Sequence, residues 1–475
     1  MYRAHDSWND FTGPAATAQG LLTSTVGGSP TTGSVKLSTV DQTGPGFRCD
    51  FSQQNGCPSI MLLDPGDNQQ PLTQTYSFSV SQRFPFGSLF DIAYVGNQSS
   101  NLLTDNASTN LVQSQDLRDI NAIPIGAFFK PNPNPASSAF GTIPNLSSFQ
   151  QTQQNDYRKY PSYSHMGMPR HIAYANYNAV QANWNRQKGR LNYGLNYTFS
   201  KALGIRGAFN NGMAGDPTNL RANYGPLAFD RTSIIGASYS YDMGERFHPG
   251  NRFLRGLSNF WMVSGITNWQ SGPNLQAVYA PNFNLQGYAN SSFGGNRCKT
   301  GTASNVPTAC QINDTLLLGT TDVMLQPVLR AGAGCPGGDP TAGLQKHQYI
   351  NGNCFGLGPQ GVNGPTNLGY IHGPAFFASD LTLQKTFPLK ESRNIQLKLA
   401  GFNFLNHPLT SFSSRYPREA NLQFYDPNNV GFAGVQLVNS ANPGGNCSDA
   451  GSQCFGYAGY KTGRRVLEVM ARYNF

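Results

Sequence analysis

The sequence predicts an all-β protein, an antiparallel transmembrane β-barrel with long extracellular loops. Three observations support this fold class. The composition joins few charges to many aromatic residues, bulky apolar residues alternate with small polar ones, and short connections alternate with long ones. Outer-membrane barrels combine these properties, because their strands turn apolar side chains to lipid and polar side chains to the lumen.

The composition argues against a helical membrane protein. Charged residues make up 12% of the 475 residues, and aromatic residues another 12%. The charged share is about half of that in an ordinary soluble domain. No run of ~18 apolar residues could cross a bilayer as a helix. A secreted β-solenoid or β-sandwich has a similar composition and is the soluble alternative.

Alternation with a period of two is clearest in residues 191–200. Bulky apolar residues occupy its odd positions, and Asn, Gly, Thr or Ser occupies each even position. This pattern gives a strand one apolar and one polar face. The same pattern predicts nine long antiparallel strands, paired mainly with their sequence neighbours, and one further strand within the first 40 residues. The nine are 76–84, 88–97, 177–187, 190–200, 231–242, 259–271, 376–387, 393–405 and 464–475.

Connection lengths support the barrel over the sandwich. Some predicted strands are joined by a few residues, such as 85–87, and the turn 243–258 is still compact. With residue 475 in the periplasm, every short turn is periplasmic and every long stretch is extracellular, as in outer-membrane barrels. A soluble sandwich gives no reason for this alternation. The long stretches are 98–172, 201–230, 272–375 and 406–463.

Eight cysteines fall in four close pairs, all in predicted extracellular segments. They form no CxxC motif and lack neighbouring histidines, which argues against a metal site. Local disulfides in an oxidising compartment fit better. Pairing by proximity is an assumption, since eight cysteines allow many connectivities. The suspected disulfides are Cys49–Cys57, Cys298–Cys310, Cys335–Cys354 and Cys447–Cys454.

The last residues form a complete alternating strand that ends in an aromatic residue. Leu467, Val469, Tyr473 and the terminal Phe475 share one face. This pattern resembles the signal read by the outer-membrane barrel assembly machinery. We therefore expect these four residues to act as an assembly signal.

No catalytic constellation is present, and we expect neither an enzyme nor a cofactor. HExxH, GxSxG and GxxxxGK[ST] are all absent. Residues 165–171, His-Met-Gly-Met-Pro-Arg-His, contain imidazoles and thioethers that suit copper, but no supporting cluster accompanies them. Asp426-Pro-Asn-Asn429 offers oxygen ligands for calcium, yet such clusters are ordinary turn chemistry. We predict no metal site at either place.

The net charge of +9 leaves two interpretations open. Scattered, solvated Lys and Arg side chains are the simpler one, and attraction to anionic lipopolysaccharide or an anionic ligand is the other. No run of Lys and Arg of the nucleic-acid-binding type occurs. We expect no nucleic-acid partner.

Several short motifs follow one another over residues 70–475. They are Tyr76-Ser-Phe-Ser-Val-Ser-Gln-Arg-Phe-Pro85, Ile92-Ala-Tyr-Val-Gly-Asn97, Leu195-Asn-Tyr-Thr-Phe-Ser-Lys-Ala-Leu203, Asp230-Arg231, Val263-Ser-Gly-Ile-Thr267, Gln270-Ser-Gly-Pro273, Gly373-Pro374 and Phe402-Asn-Phe-Leu-Asn-His-Pro408. In this order they resemble the Oar-like TonB-dependent receptors of acidobacteria and myxobacteria. The last motif is close to the family's FNLFNHP ending of a late strand.

The resemblance implies a 22-stranded barrel with an N-terminal plug and a TonB box, often after a carboxypeptidase-regulatory-like domain. None of these parts is recognisable here, and the first residues contain no signal-peptide core. We therefore expect residues 1–475 to be the C-terminal portion of such a barrel, as a partial barrel or an open curved sheet. Residues 1–72 form a poorly defined strand and loop, and residues 73–475 form about nine strands.

The resemblance also implies a function, a location and partners. The complete parent would import an unidentified ligand, for which a glycan is one candidate, across the bacterial outer membrane. Its partners would be outer-membrane lipid and lipopolysaccharide, the barrel assembly machinery, and TonB through the missing N-terminal part. A passive porin-like channel of about ten strands and a secreted β-rich binding protein are the alternatives. Ligand-binding residues stay unknown beyond their expected place in loops 98–172, 272–375 and 406–463.

Overall fold

A computed structural model gives the fold of most of the chain. It describes residues 21–26, 29–34, 60–62, 64–104, 116–145, 154–161, 163–205, 216–227, 229–274, 276–279, 318–323, 328–329, 331, 335–345, 347–351, 354–356, 358–364, 371–389, 393–411, 419–425, 436–438, 458 and 460–475.

Nine long strands form one antiparallel sheet in the order of the chain. Each pairs with its sequence neighbours, so the sheet runs from β1 at one edge to β9 at the other. The strands are β1 (Leu72–Phe84), β2 (Ser88–Leu103), β3 (His171–Lys188), β4 (Leu191–Ile205), β5 (Ser233–Asp242), β6 (Trp261–Gln270), β7 (Phe376–Pro388), β8 (Asn394–Phe402) and β9 (Val466–Asn474).

The remaining elements are short and lie in the connections. Short strands are Leu21–Val26, Ser29–Ser34, Ile60–Met61, Met166–Gly167, Tyr224–Pro226, Gln276–Tyr279, Val328–Leu329, Phe355–Gly356, Leu409–Ser411, Glu419–Tyr425, Gln436–Val438 and Tyr460–Thr462. Among the described residues an α-helix, α1, spans Arg252–Ser258, and 3-10 turns span Pro85–Gly87, Ala127–Phe129, Asn155–Tyr157, Leu220–Asn223 and Pro336–Gly338. Within these described segments, no helix is long and apolar enough to cross a membrane.

The pairing register sorts the side chains onto two faces. One row of cross-strand neighbours runs Phe78, Tyr94, Val180 and Phe199, all apolar. The face is open to its surroundings, since Phe78 is 71% exposed. Large apolar side chains this exposed over a whole sheet face are expected where lipid rather than water covers them.

The opposite face is polar. The row next to the one just described runs Ser79, Ala93, Gln181 and Thr198. Side chains of this kind suit a hydrated lumen. Each strand thus has the apolar and polar faces that alternation predicts.

All nine predicted strands are confirmed in position and pairing, and four are longer than predicted by at least four residues. β1 begins at Leu72 rather than 76. β2 continues to Leu103, β3 begins at His171, and β4 continues to Ile205. These extensions lie at the end with the long loops, where Leu103 pairs with His171 and Ile205 pairs with Tyr224. Outside the lipid a strand no longer needs apolar residues at alternate positions. The sequence pattern therefore does not reveal that the strands continue there.

Two predicted strands are too long because polar side chains end them. β6 begins at Trp261 rather than 259, since Asn259 closes α1 by donating to Arg255 O (3.0 Å). β8 ends at Phe402 rather than 405. Asn403 and Asn406 there take positive φ values of 45° and 53°, which asparagine tolerates better than most residues.

Two short strands lie within the first 40 residues, where one was expected. Leu21–Val26 and Ser29–Ser34 pair with each other, Leu21 opposite Ser34, as a separate hairpin. Their hydrogen bonds are made locally, so neither strand extends the sheet. The helix α1 within the turn 243–258 was not predicted.

The sheet is open, as the partial-barrel prediction required. In the described part of the chain, β1 pairs only with β2, and β9 pairs only with β8. The strand that ends at Phe475 therefore lies at an edge. Among the described residues, both outer edges carry backbone groups without a strand partner.

Two tyrosines cover glycines on the apolar face. Tyr76 lies directly opposite Gly96, and Tyr239 lies opposite Gly265. A Cβ atom added to Gly96 would collide with the ring of Tyr76. The ring also donates from its hydroxyl to Asn178 Oδ1 (3.2 Å), to which Tyr94 donates as well (2.8 Å). Glycine thus lets an aromatic ring lie flat across the sheet.

We expect Gly96→Ala to lower the free energy of unfolding by about 1–3 kcal/mol, because the methyl group displaces the Tyr76 ring. Urea unfolding of the chain in detergent, followed by tryptophan fluorescence, measures this. The matched control is Gly236→Ala, where the nearest atom to the new methyl group is Asn268 Oδ1 at 3.5 Å. Equal effects of the two substitutions would show that the ring contact is unimportant.

Candidate functional site: the extracellular loop cap

The packed interior of the molecule lies in the long loops rather than in the sheet. We call three segments of the β2–β3 connection, 116–145, 154–161 and 163–170, together with residues 318–323 from the β6–β7 connection, the loop cap. One apolar cluster in it contains Ile123, Phe128 and Tyr157. A second joins Met166 and neighbouring side chains to Leu62 from the segment before β1. Burial of such side chains stabilises a loop by removing apolar area from water.

A buried ion pair joins the two long loops of the cap. Arg158 Nη1 lies 2.6 Å from Asp322 Oδ2, and the two side chains are 3% and 1% exposed. Asp322 also accepts from the backbone N–H of Ile123 (2.9 Å), and Arg158 donates to Asn121 O (2.7 Å) and Asn155 Oδ1 (2.8 Å). These bonds satisfy groups that would otherwise be costly to bury.

The pKa of Asp322 reflects this environment. Burial raises the pKa, but the Arg158 guanidinium, the nearby His165 and the hydrogen bonds to the carboxylate outweigh burial. The net result is a pKa below the ordinary value of 3.8. The carboxylate is therefore held in its charged form.

Backbone pairing strengthens the same junction. Gly126 N donates to Leu318 O (2.7 Å), and Phe128 N donates to Gly319 O (2.9 Å). Thr320 donates from its hydroxyl to Ile123 O (2.5 Å). Hydrogen bonds therefore join two loops that lie about 200 residues apart in the chain, much as they join a short pair of strands. The Arg158–Asp322 ion pair lies beside these bonds.

Asn121 and Asp119 hold the cap together from within one loop. Asn121 Nδ2 donates to the carbonyl groups of Tyr160 (3.1 Å), Tyr163 (3.2 Å) and Ser164 (2.9 Å). Asp119 Oδ1 accepts from the N–H groups of Asn121 (2.8 Å) and Met166 (3.0 Å). Both side chains are buried and act as structural crosslinks.

Asp119, His165 and Asp322 bring three potential metal-ligand atoms within 4.8 Å of one another. Their chemistry favours a structural network instead. Asp119 Oδ2 is bonded to His165 Nδ1 (2.7 Å), and both carboxylate oxygens of Asp322 are bonded to Arg158. A guanidinium already supplies the positive charge that a metal would bring, and it would repel a cation.

The 165–171 motif serves packing in this structure. Met166 and Met168 are buried, with Met166 in the cluster around Leu62 and Tyr163. His165 and His171 bond to different carboxylates, Asp119 and Asp67. The two histidines are thus committed to separate structural contacts, and the thioethers pack as apolar groups.

The outer part of the cap presents exposed apolar side chains on a stiff turn. Asp156 accepts from Asn132 Nδ2 (2.7 Å), Asn134 Nδ2 (2.7 Å) and Ser137 Oγ (2.6 Å). The turn fixed in this way carries Phe140 and Ile143, which are 57% and 62% exposed. Exposed apolar side chains held on an ordered turn are suited to ligand contact.

Other predicted site residues are distributed as follows. Cys335 and Cys354 form a disulfide with a Cα–Cα distance of 5.0 Å. The other three cysteine pairs, and Asp426-Pro-Asn-Asn429, lie outside the described residues. Leu467, Val469, Tyr473 and Phe475 share the apolar face at the edge strand β9. Their role as an assembly signal stays a prediction.

Sequence reasoning missed Arg158, Asp322 and Asn121. No motif marks them, since each partner lies in a distant or irregular segment. The scarcity of charged residues in the sequence is the one signal that could have pointed to Arg158 and Asp322. In a chain with so few charged residues, an arginine and an aspartate inside long loops are worth examining as a pair.

An antiparallel sheet with one apolar and one polar face, short turns at one end and packed loops at the other defines an outer-membrane barrel protein. Comparison with protein families agrees. Residues 3–428 match the family described as outer membrane beta barrel domain, and the chain belongs to that family. The protein is thus placed in the bacterial outer membrane.

Two solved outer-membrane structures align with part of their length to this chain. The outer membrane transporter YddB from Escherichia coli aligns with a TM-score of 0.35 and 8% identity, over 88% of this chain and 34% of that one. The FrpB iron transporter from Neisseria meningitidis aligns with a TM-score of 0.29 and 9% identity, over 88% and 33%. This chain spans about a third of the length of each. No curated protein matches the sequence.

We expect Arg158→Met to loosen the cap by about 3–5 kcal/mol, because it leaves the Asp322 carboxylate buried without a counter-charge. Limited trypsin digestion of the chain in detergent should show faster cleavage within residues 116–170. The control is Arg255→Met, which removes the exposed partner of Glu245 and should cost at most about 1 kcal/mol. Unchanged cleavage in Arg158→Met would contradict the role of the ion pair.

The cap should also open at acid pH. The folded pKa of Asp322 is below its unfolded value, so its stabilising effect is complete above pH 3.8 and is lost as the pH falls further. Hydrogen exchange at the Ile123 and Phe128 amides, corrected for intrinsic rates, should accelerate below that pH. In Asp322→Asn the protection should be low throughout and lack this step. If exchange at these two amides of the wild-type chain does not accelerate below pH 3.8, Asp322 is not the titrating group.

Proposed function

We propose that the chain is the C-terminal barrel portion of an Oar-like TonB-dependent receptor, whose complete parent binds a ligand outside the cell and imports it with energy from TonB. The open sheet carries this proposal. Its outer edges at β1 and β9 have no strand partner in the described part of the chain. In hydrocarbon, unpaired backbone groups cost several kcal/mol each, so further strands are needed to close the barrel.

The loop cap supports a receptor over an open pore. This cap has its own buried clusters and a buried inter-loop ion pair, which hold it in one arrangement. Binding surfaces work best when a rigid support holds the contact residues. Phe140 and Ile143 are the contacts that we assign to ligand recognition, because the Asp156 clamp presents them.

A glycan is the ligand class that we favour. Sugars bind through apolar contact with their ring faces and through hydrogen bonds to amides. The turn around Phe140 supplies an exposed aromatic ring, and Asn132 and Asn134 hold that turn in place through Asp156. In this proposal the protein performs no chemistry on its ligand, and the plug and TonB box are supplied by a part of the receptor beyond this chain.

The test is insertion of the isolated chain. Residues 1–475, expressed with a grafted signal peptide, should not yield a heat-modifiable, protease-resistant outer-membrane species. The reason is that the edges of β1 and β9 would face lipid unpaired. The matched control is the parent barrel, assembled by joining the upstream coding sequence in frame, which should give such a species. Steady single-channel conductance by residues 1–475 alone in a planar bilayer would overturn the proposal and favour the porin.

A further inference from the structure

The connection between β5 and β6 differs from the other turns at the same end of the sheet. Residues 243–260 form the longest of these periplasmic connections and contain α1. Asn259 fixes the segment: Oδ1 accepts from Arg246 N and Phe247 N (2.7 Å each), and Nδ2 donates to Phe247 O (2.6 Å). Asn259 is fully buried. The segment is therefore held in a defined shape rather than left as a loose linker.

This ordered segment exposes large apolar side chains. Phe253 is 76% exposed, Phe247 and Leu254 are each 51% exposed, and Leu257 is 49% exposed. Phe247, Leu254 and Leu257 also line an open cavity of about 460 Å³, with Pro249 beside them. Such a cluster is unfavourable in water and marks a surface that another apolar body covers.

The cluster is continuous with the lipid-facing side of the sheet. Trp261 begins β6 on the apolar face, and its indole Nε1 donates to Leu257 O (2.8 Å). This bond fixes the end of α1 against the apolar face. The exposed side chains of the segment therefore extend the lipid-facing surface beyond the start of β6.

A lysine on the apolar face is tied to the same helix. Lys385 of β7 lies opposite Trp261 and Leu397 in the register. Its ammonium group donates to the carbonyl groups of Gly256 and Asn259 and lies 5.1 Å from the ring centre of Trp261. The side chain thus carries its charge out of the hydrocarbon to the end of α1, as snorkelling lysines do at membrane interfaces.

Positive charge is concentrated at this end of the sheet. The short turns with four flanking residues, and the last four residues, contain 11 of the 33 Lys and Arg but four of the 24 Asp and Glu. These segments therefore carry seven of the nine net charges. They are 81–91, 185–194, 239–264, 385–397 and 472–475. The charge imbalance belongs to the periplasmic rim rather than to the extracellular loops.

Two arginines place part of this charge beside the apolar cluster. Arg246 is exposed and donates from Nη1 to Tyr241 Oη (3.0 Å) on the apolar face. Arg255 of α1 is half exposed and forms an ion pair with Glu245, the acid of this segment. Cations next to an exposed apolar cluster at a membrane boundary suit a lipid with an anionic headgroup.

We propose that residues 243–260 bind an anionic glycerophospholipid of the periplasmic leaflet. The acyl chains pack on Phe247, Leu254 and Leu257, and the headgroup phosphate lies at Arg246 and Arg255. Lys385 and Trp261 position α1 for this contact. The inference is independent of ligand import, because it concerns the opposite end of the sheet.

The test uses the full chain in detergent micelles and native mass spectrometry. With equal amounts of phosphatidylglycerol and phosphatidylcholine, the wild-type chain should retain phosphatidylglycerol in about tenfold preference. Arg246→Gln with Arg255→Gln should abolish the preference. The matched control, Arg221→Gln with Lys461→Gln, removes two exposed cations from the extracellular side and should keep it. Equal retention of both lipids by the wild-type chain, or equal behaviour of the two double variants, would overturn the proposal.

A second measurement needs no change in charge. Brominated phosphatidylglycerol should quench the tryptophan fluorescence of the wild-type chain more than brominated phosphatidylcholine does, and Trp261→Phe should remove most of that difference. Leu254→Ser with Leu257→Ser should weaken retention of both lipids equally, since both side chains contact the acyl chains. Quenching that is the same for the two lipids would argue against a headgroup site at α1.

Discussion

In hydrocarbon a backbone amide has no water to bond, so each strand in the bilayer must find its partner in another strand. The organisation of this chain follows from that requirement. β1 to β9 pair in sequence order, and short turns keep each strand beside its neighbour along the chain. The same requirement makes the two free edges the most consequential feature of the sheet, because they are the places where it is unmet within the described residues.

The loop cap is stabilised in a different way from the sheet. Its residues lie outside the bilayer, where water can satisfy any exposed polar group, yet the cap buries Arg158, Asp322, Asp119 and Asn121. Each of these is hydrogen-bonded to the backbone of a segment that has no regular structure. Buried polar side chains replace the ladder bonds that a sheet would provide, and they define one arrangement of loops that would otherwise have many. A defined cap is a suitable support for recognition, whereas a disordered one would lose binding energy to ordering.

The two ends of the sheet use charge differently. In the loop cap at the extracellular end, buried charges are paired with each other, as in Arg158–Asp322 and Arg118–Asp116. At the periplasmic end they are mostly external and of one sign, and Lys385 reaches the boundary from the apolar face. The first arrangement stabilises a loop fold. The second matches an anionic surface and would orient the sheet relative to the bilayer.

The sequence alone determined the nine strands, their faces and the end of the sheet at which each connection lies. Period-two alternation is a local property, and lipid enforces it residue by residue, so 191–200 could be recognised from its letters. Outside the lipid-facing part of the strands, the sequence pattern no longer shows where a strand begins or ends. The extension of β3 to His171 and the end of β8 at Asn403 depend on cross-strand partners and backbone turns rather than on alternation. The cap depends still more on distant contacts, since Arg158 and Asp322 are 164 residues apart. Only the tertiary structure decided that these two charges meet and that Met166 and Met168 pack in a core rather than bind metal. It alone also decided that α1 lies against Trp261. The physical reason is that the role of a side chain in an irregular loop depends on the residues that the fold places next to it.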